Sequence, residues 1–289
     1  MKKALNLEVS EVDMESEASL AKISVDKVSK SYVAGDVERQ VLSDIVIDVG
    51  ANEFLSIVGH SGAGKTTLLK CIAGLETPTS GGVRLDGEWI SGPPKRLALI
   101  FQDYGRSLFP WLRVLGNVML PLRNRKDIPA AERKAKSVAA LAAVGLGDAV
   151  NHYPWQLSGG MQQRVAIARA IACEPEVLLM DEPFASVDAQ TRSDLEDLVL
   201  DLRRKYSMTA VLVTHDVDES VYMSDRVVVL GGVPTGVAEL IDIDLPAQRD
   251  QVATKSLPEF ISLRTRVLQA VRGQRKIRQE TGGRADDQE

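Results

Sequence analysis

The 289-residue chain carries 35 Lys and Arg against 40 Asp and Glu, a formal charge of −5, with 44% hydrophobic and 26% charged residues. That balance excludes disorder throughout, and an acidic balance argues against general affinity for nucleic acid, which needs a concentrated basic face. No apolar run approaches the ~18 residues that span a bilayer, and Met1-Lys2-Lys3-Ala4 leads into acids, so neither a spanning helix nor a signal peptide is expected.

Residues 1–21 hold Glu8, Glu11, Asp13, Glu15 and Glu17 with little aliphatic periodicity, which predicts a flexible acidic N-terminal extension. Alternation at Ile23-Ser24-Val25 and across Val41 to Val49 predicts antiparallel strands, closed by a turn at Gly50. Phe54 to Val58 is a short continuous apolar run, the pattern of a strand buried on both faces. A Gly-rich turn, a helix from Thr66 to Ala73 and a loop from Pro78 to Gly82 follow, and Leu97 to Phe101 reads as another buried strand. The block from 104 to about 157 has Pro110, Pro121 and Pro129, a helical pattern from Ala130 to Val144 and little strand signal, so it reads as a helical insertion. Val177 to Met180, Ala210 to Val213 and Val227 to Leu230 are further buried strands, with a charged helix from Asp194 to Lys205. Strands alternating with helices imply a mostly parallel sheet covered on both faces. From Leu257 a last helix sets Phe260, Leu263, Val267 and Val271 on one face. Cys71 and Cys173, far apart and without C-x-x-C spacing, read as reduced core thiols of a cytosolic protein.

Gly59-His60-Ser61-Gly62-Ala63-Gly64-Lys65-Thr66 fits G-x-x-x-x-G-K-[ST] between a buried strand and a helix. Its glycines let successive N–H groups turn inward around a polyphosphate, and the helix start adds its positive dipole end. Lys65 is expected on the β and γ phosphates and the Thr66 hydroxyl on Mg²⁺. Asp181-Glu182-Pro183 closes the strand at Val177, where open α/β sheets place ligands. There Asp181 is suited to hold the ion and Glu182 to polarise the attacking water. His215, after the next strand, is placed to help hold that water and bond the γ-phosphate.

Leu157-Ser158-Gly159-Gly160-Met161 opens a helix and forms a second anion site: a hydroxyl, open amides and a helix dipole. One nucleotide does not need two such sites from one chain, whereas a dimer that sets this segment over its partner's phosphate loop does. These ordered motifs resemble the ATP-binding subunits of ABC transporters over about Ile23 to Leu230. The resemblance implies a P-loop NTPase (RecA-like) α/β fold: a mostly parallel core, an antiparallel β subdomain and a helical insertion of about 103–163 carrying the signature. It makes 22–242 the ATPase domain and 243–289 a C-terminal helix and basic tail. By the same resemblance Gly59 to Thr66 are the Walker A segment, with Thr67 on the phosphates. Gln102 contacts Mg²⁺ and the attacking water, and Ser158, Gly159 and Gly160 are the signature. Asp181 and Glu182 are the Walker B aspartate and catalytic glutamate, Asp188 is the D-loop aspartate and His215 the H-loop histidine. Tyr32 falls where the family stacks an aromatic on adenine. Met161, Trp155 and Ala185-Ser186-Val187 depart from the residues most usual in the family, while the signature Ser and glycines are intact.

Phe101-Gln102-Asp103-Tyr104, Leu108-Phe109-Pro110-Trp111 and Asp188-Ala189-Gln190-Thr191-Arg192 look like the nitrate/sulfonate/taurine importer branch. The resemblance implies a homodimer burying two ATP, separate membrane permease subunits, an extracytoplasmic solute-binding protein, and a place on the cytoplasmic face of the membrane. Aromatics make up only 4% of the chain, yet Phe101, Tyr104, Phe109 and Trp111 fall within one short block. That clustering marks Tyr104–Trp111 as a partner surface, expected to receive the permease; a local core patch is the other reading. Arg264, Arg266, Arg272, Arg275, Lys276 and Arg278 with no acid between them fit a solvated tail or contact with lipid headgroups. Asn124-Arg125-Lys126-Asp127 imitates a guanine-reading motif with its Lys misplaced. The alternatives are a soluble ABC ATPase acting on nucleic acid or ribosomes, and a nucleotide switch without transport. The first lacks its coiled-coil or zinc insertion or second cassette, and the second sits poorly with intact Glu182 and His215.

Overall fold

The computed structural model describes residues 21–282 apart from 36 and 103. Most of the acidic extension, 1–20, lies outside them, as do the side chains of Tyr104, Arg106 and residues 275 onward. In chain order the elements are β1 Ile23–Ala34, β2 Val37–Val49, β3 Phe54–Val58, α1 Lys65–Ile72, β4 Ser80–Leu85, β5 Glu88–Trp89 and β6 Leu97–Ile100. The middle block holds α2 Tyr104–Ser107, α3 Val114–Met119, α4 Ala130–Ala143 and α5 Gly159–Ile171. Then come β7 Val177–Asp181, α6 Ala189–Tyr206, β8 Thr209–Val213, α7 Val217–Met223, β9 Arg226–Gly231, β10 Gly236–Asp242 and α8 Pro258–Gly282.

Two sheets form. The larger runs β10-β9-β3-β8-β7-β6, with only β10 antiparallel to its neighbour, and the smaller is the antiparallel β2-β1-β4-β5. Every residue of β3, β7 and β8 is buried, and their period-2 pleat feeds two cores. Leu55, Ile57, Val177, Leu179, Val211 and Val213 point toward the small sheet and α1, where they meet Ile45, Val49, Leu68 and Leu69. Phe54, Val58, Leu178, Met180, Ala210 and Leu212 point the other way, into the core of the helical elements. This is why these strands read as unbroken apolar runs.

The consequence for function is directional. Because β3, β6, β7 and β8 are parallel in adjacent register, their C-terminal ends share one edge. The phosphate loop follows β3, Gln102 follows β6, Asp181 ends β7 and His215 follows β8.

Several local readings are corrected. The predicted loop at Pro78–Gly82 already pairs as β4 from Ser80, since Gly81 and Gly82 admit close backbone approach: a β-carbon on Gly81 would strike the Lys27 carbonyl. Of the two cysteines Cys71 is buried, but Cys173 is only half-buried. The last helix starts at Pro258 and seats Phe260 and Val267 fully and Leu263 and Val271 partly. Arg264 and Arg266 of its basic stretch are ion-paired to Asp218 and Glu239.

Candidate functional site

The chain leaves β3 and turns sharply into α1 because Gly62 and Gly64 adopt φ of 76° and 73°, a region open to glycine at little cost. Gly64 is doubly constrained: a β-carbon there would stand 2.7 Å from Leu42 Cδ2 and 2.9 Å from Val41 Cγ1. The turn opens into a cleft of about 680 Å³ lined by Ser61, Gly62, Ala63, Gly64, Lys65, Thr66 and Thr67, with Arg39 and Val41 of β2 on one side and Gln102, Glu182 and His215 on another. Lys65 Nζ donates to the Gly59 and His60 carbonyls at 3.0 and 3.2 Å, curling the lysine over its own loop. His60 Nδ1 lies 2.8 Å from the Ser61 carbonyl.

Thr66 Oγ1 donates to Asp181 Oδ1 at 3.1 Å, joining α1 to the end of β7. Burial pushes the Asp181 carboxyl above its ordinary range, opposed by the Thr66 hydrogen bond, and burial pushes the Lys65 ammonium down, opposed by Glu182 and Asp181. Both shifts are those of charges held out of water beside a partner of opposite sign. Glu182, with φ of 43°, bends left-handed out of β7, a conformation costing about 1–3 kcal/mol in a side-chain-bearing residue and characteristic of functional positions. One carboxylate oxygen, Oε2, receives Gln102 Nε2 at 3.0 Å and lies 3.2 Å from His215 Nδ1.

Tyr32 on β1 is 41% exposed. Its hydroxyl stands 3.4 Å from Thr67 Oγ1 and Lys30 Nζ sits 5.2 Å from its ring centre. Across the hairpin it is in register with Arg39, a cleft residue that no sequence motif marks. Ser158, Gly159, Gly160 and Asp188 do not line this cleft. Ser158 caps α5, its Oγ accepting the Met161 N–H at 3.3 Å, which leaves the hydroxyl hydrogen for donation. Asp188 caps α6, accepting Thr191 N–H at 3.0 Å and Thr191 Oγ1 at 2.7 Å; these bonds hold its carboxyl below the ordinary range.

The aromatic block is split. Phe101 and Trp111 are 46% and 70% exposed, while Phe109 is half-buried with Trp111 edge-on at 5.2 Å. Beside them a groove of about 440 Å³ runs between β6 and α5, floored by Leu97, Leu99, Phe101, Leu120 and Ala170. Arg169 of α5 closes one side, donating to the Ser107 carbonyl and hydroxyl at 2.6 and 2.7 Å. Sequence reasoning missed Asn117, fully buried at the same depth as Val114, Val118 and Leu122. A polar residue in that apolar helical period was the available signal.

A phosphate loop at the carboxyl edge of a parallel sheet, faced by carboxylates at the end of β7, two strands over, defines a nucleoside-triphosphate-binding cassette. A family model described as ABC transporter matches residues 42–185. The nitrate transport protein NasD of Klebsiella oxytoca is 40% identical over 249 residues, covering 85% of this chain and 94% of that protein. The bicarbonate transport ATP-binding protein CmpC of Synechococcus elongatus is 41% identical over 259 residues, 89% of this chain; the chain spans only 39% of CmpC. A solved dimeric ATP-binding cassette in a post-hydrolysis state, bound to ADP and Pi, is 32% identical with a TM-score of 0.67, over 76% of this chain and 98% of that one. The chain belongs to the ABC transporter family.

Proposed function

We propose that the chain is the ATP-hydrolysing subunit of an importer of a small anionic solute, working as a pair of copies beneath separate membrane subunits. The observation that carries this reading is Glu182, bent out of β7 and held by Gln102 and His215 at the mouth of the phosphate loop.

In this reading Lys65 exchanges its loop carbonyls for the β and γ phosphates, and the amides of Gly62 to Thr66 cradle the same oxygens. Thr66, Asp181 and Gln102 offer only oxygen donors of the kind a hard cation takes, and among the described residues no cluster of three or more His, Cys, Asp or Glu is placed to hold a metal. That donor set fits Mg²⁺, which completes its shell with water and phosphate oxygens. Once bound, Mg²⁺ neutralises charge on the transferring phosphoryl group. Glu182 orients and polarises the attacking water, while His215 and Gln102 fix the carboxylate. Tyr32 supplies an exposed ring for adenine. Ser158, Gly159, Gly160 and Asp188 stand off the chain's own cleft, which suits donation to the cleft of a second copy; ATP then closes the pair and hydrolysis reopens it.

The membrane subunits would dock at the groove between β6 and α5 together with Trp111. Through that contact the chain would sit peripherally on the cytoplasmic face; among the described residues no helix is long and apolar enough to cross a membrane. An extracytoplasmic binding protein and the membrane subunits would select the solute; the nitrate and bicarbonate in the names of the relatives support a small anion. No nucleic acid is involved in this reading. Glu182→Gln tests it: the variant should bind ATP, form an ATP-stabilised dimer by size exclusion, and hydrolyse at least ~100-fold more slowly. Turnover near the parent rate would reject it.

A further inference from the structure

Three features assigned to different motifs converge on the first turn of α6. Asp188 caps that turn. Thr191, whose hydroxyl is held by Asp188, sets its methyl against the signature helix: a β-carbon on Gly160 would fall well inside contact distance of Thr191 Cγ2. Arg192, the next residue, reaches the opposite way, its Nη1 donating to Asp216 Oδ2 at 3.0 Å.

Asp216 follows His215 directly and holds its turn. Its Oδ1 caps α7, accepting the N–H groups of Asp218 and Glu219 at 2.9 and 3.2 Å, while its own N–H donates to Thr214 Oγ1 at 3.0 Å. The backbone on both sides of His215 is therefore fixed through Asp216, by its N–H toward Thr214 and by its carboxylate toward α7, and that carboxylate is tied to α6 by one guanidinium. Arg192, His215, Asp216 and Glu182 line the same small cavity of about 40 Å³.

We infer that Arg192 is a positioning residue, its ion pair with Asp216 transmitting the seating of Gly160 and Asp188 against a second copy to His215 and hence to Glu182. The inference rests on the proposed function, in which Gly160 and Asp188 face that copy and His215 steadies the catalytic carboxylate.

The test uses the full chain with Arg192→Met, which keeps the length of the stem, Asp216→Asn, which keeps a good cap while dropping the charge, and the double variant. A partly exposed pair of this kind contributes little to stability, so thermal midpoints should stay close to the parent. Each single variant should lower kcat about tenfold with KM for ATP unchanged. The double variant should be no slower than the slower single, because both remove one interaction. Arg192→Lys should recover part of the loss. Introduced beside Glu182→Gln, Arg192→Met should leave the ATP-stabilised dimer intact, which separates positioning from a failure to assemble. Parental kcat in Arg192→Met, multiplicative losses in the double variant, or loss of the dimer would each overturn the inference. An absent ATP-stabilised dimer in Glu182→Gln alone would instead overturn the proposed function.

Discussion

Asn117→Leu removes the pin beneath the proposed permease surface while keeping side-chain volume. Asn117 is fully buried in α3. Its Oδ1 accepts the Phe109 N–H at 2.7 Å, and its Nδ2 donates to the carbonyls of Phe109, Leu112 and Arg113 at 3.1, 3.1 and 3.3 Å. Phe109 and Arg113 keep backbone partners for their carbonyls in the N–H groups of Leu112 and Asn117. Among the described bonds, the Phe109 N–H and the Leu112 carbonyl have Asn117 alone. Two groups losing their partner at about 1–3 kcal/mol each, with Pro110 exposed so that water reaches part of the loop, come to roughly 2–4 kcal/mol. The cost falls on the segment that presents Trp111, so amide exchange at Phe109 should accelerate between ten- and a thousandfold, at about 1.4 kcal/mol per decade. ATP affinity should hold, because Asn117 is not among the residues lining the cleft, while transport in proteoliposomes with the membrane subunits should fall. Unchanged exchange at Phe109 together with an unchanged urea midpoint would refute the reasoning.

Trp111→Ala removes an exposed ring without opening the core; it should leave ATP binding intact and uncouple hydrolysis from transport, and parental transport would count against the docking surface. Gly160→Ala drives a methyl into Thr191 and should cost about 1–3 kcal/mol in denaturant unfolding. Adding Thr191→Ser, which deletes the methyl and keeps the bond to Asp188, should restore most of that loss.

The parallel core was legible because burial on both faces writes unbroken apolar runs into β3, β7 and β8, and the phosphate loop because its backbone conformations demand glycine at fixed spacing. Glu182 and His215 were found by adjacency to strand ends. The strands of the small sheet were blurrier. β4 opens with Ser80-Gly81-Gly82, residues chosen for close passage of β1 rather than for strand propensity, and they read as a loop. β10 and α7 were missed for a similar reason. β10 is an edge strand with mostly exposed residues, and α7 has only seven residues, too few to establish a helical period. Arg169 carries no local signature, and Arg192 only closes a segment that points to a subfamily, with nothing in it to mark an ion pair to Asp216. Their partners are distant in sequence, and a single guanidinium on a helix face looks the same whether it is solvated or tied to another element. Motifs report what touches the nucleotide; the ties between motifs are written only in three dimensions.

Burial gives Glu219 a measurable consequence for stability. It is 4% exposed on α7, facing the Thr214 hydroxyl, the Glu196 and Asp216 carboxylates and the Arg192 guanidinium. Burial pushes its carboxyl from the ordinary 4.5 up to about 8, with Glu196 and Asp216 adding to the rise and Thr214 and Arg192 opposing it. At neutral pH the folded protein therefore holds a proton that the unfolded chain has released. Between pH 4.5 and about 8 the native state binds more protons than the unfolded state, so stability from this group falls as pH rises and levels off above the folded value. The total is on the order of a few kcal/mol, at most about 1.4 kcal/mol per pH unit. Glu219→Gln keeps the shape and removes the titration. Its urea midpoint should match the parent near pH 4.5 and exceed it progressively toward pH 8, with the difference saturating above that. Parallel midpoint curves across the range would show that Glu219 binds its proton alike in the folded and unfolded chain and would overturn the expected shift.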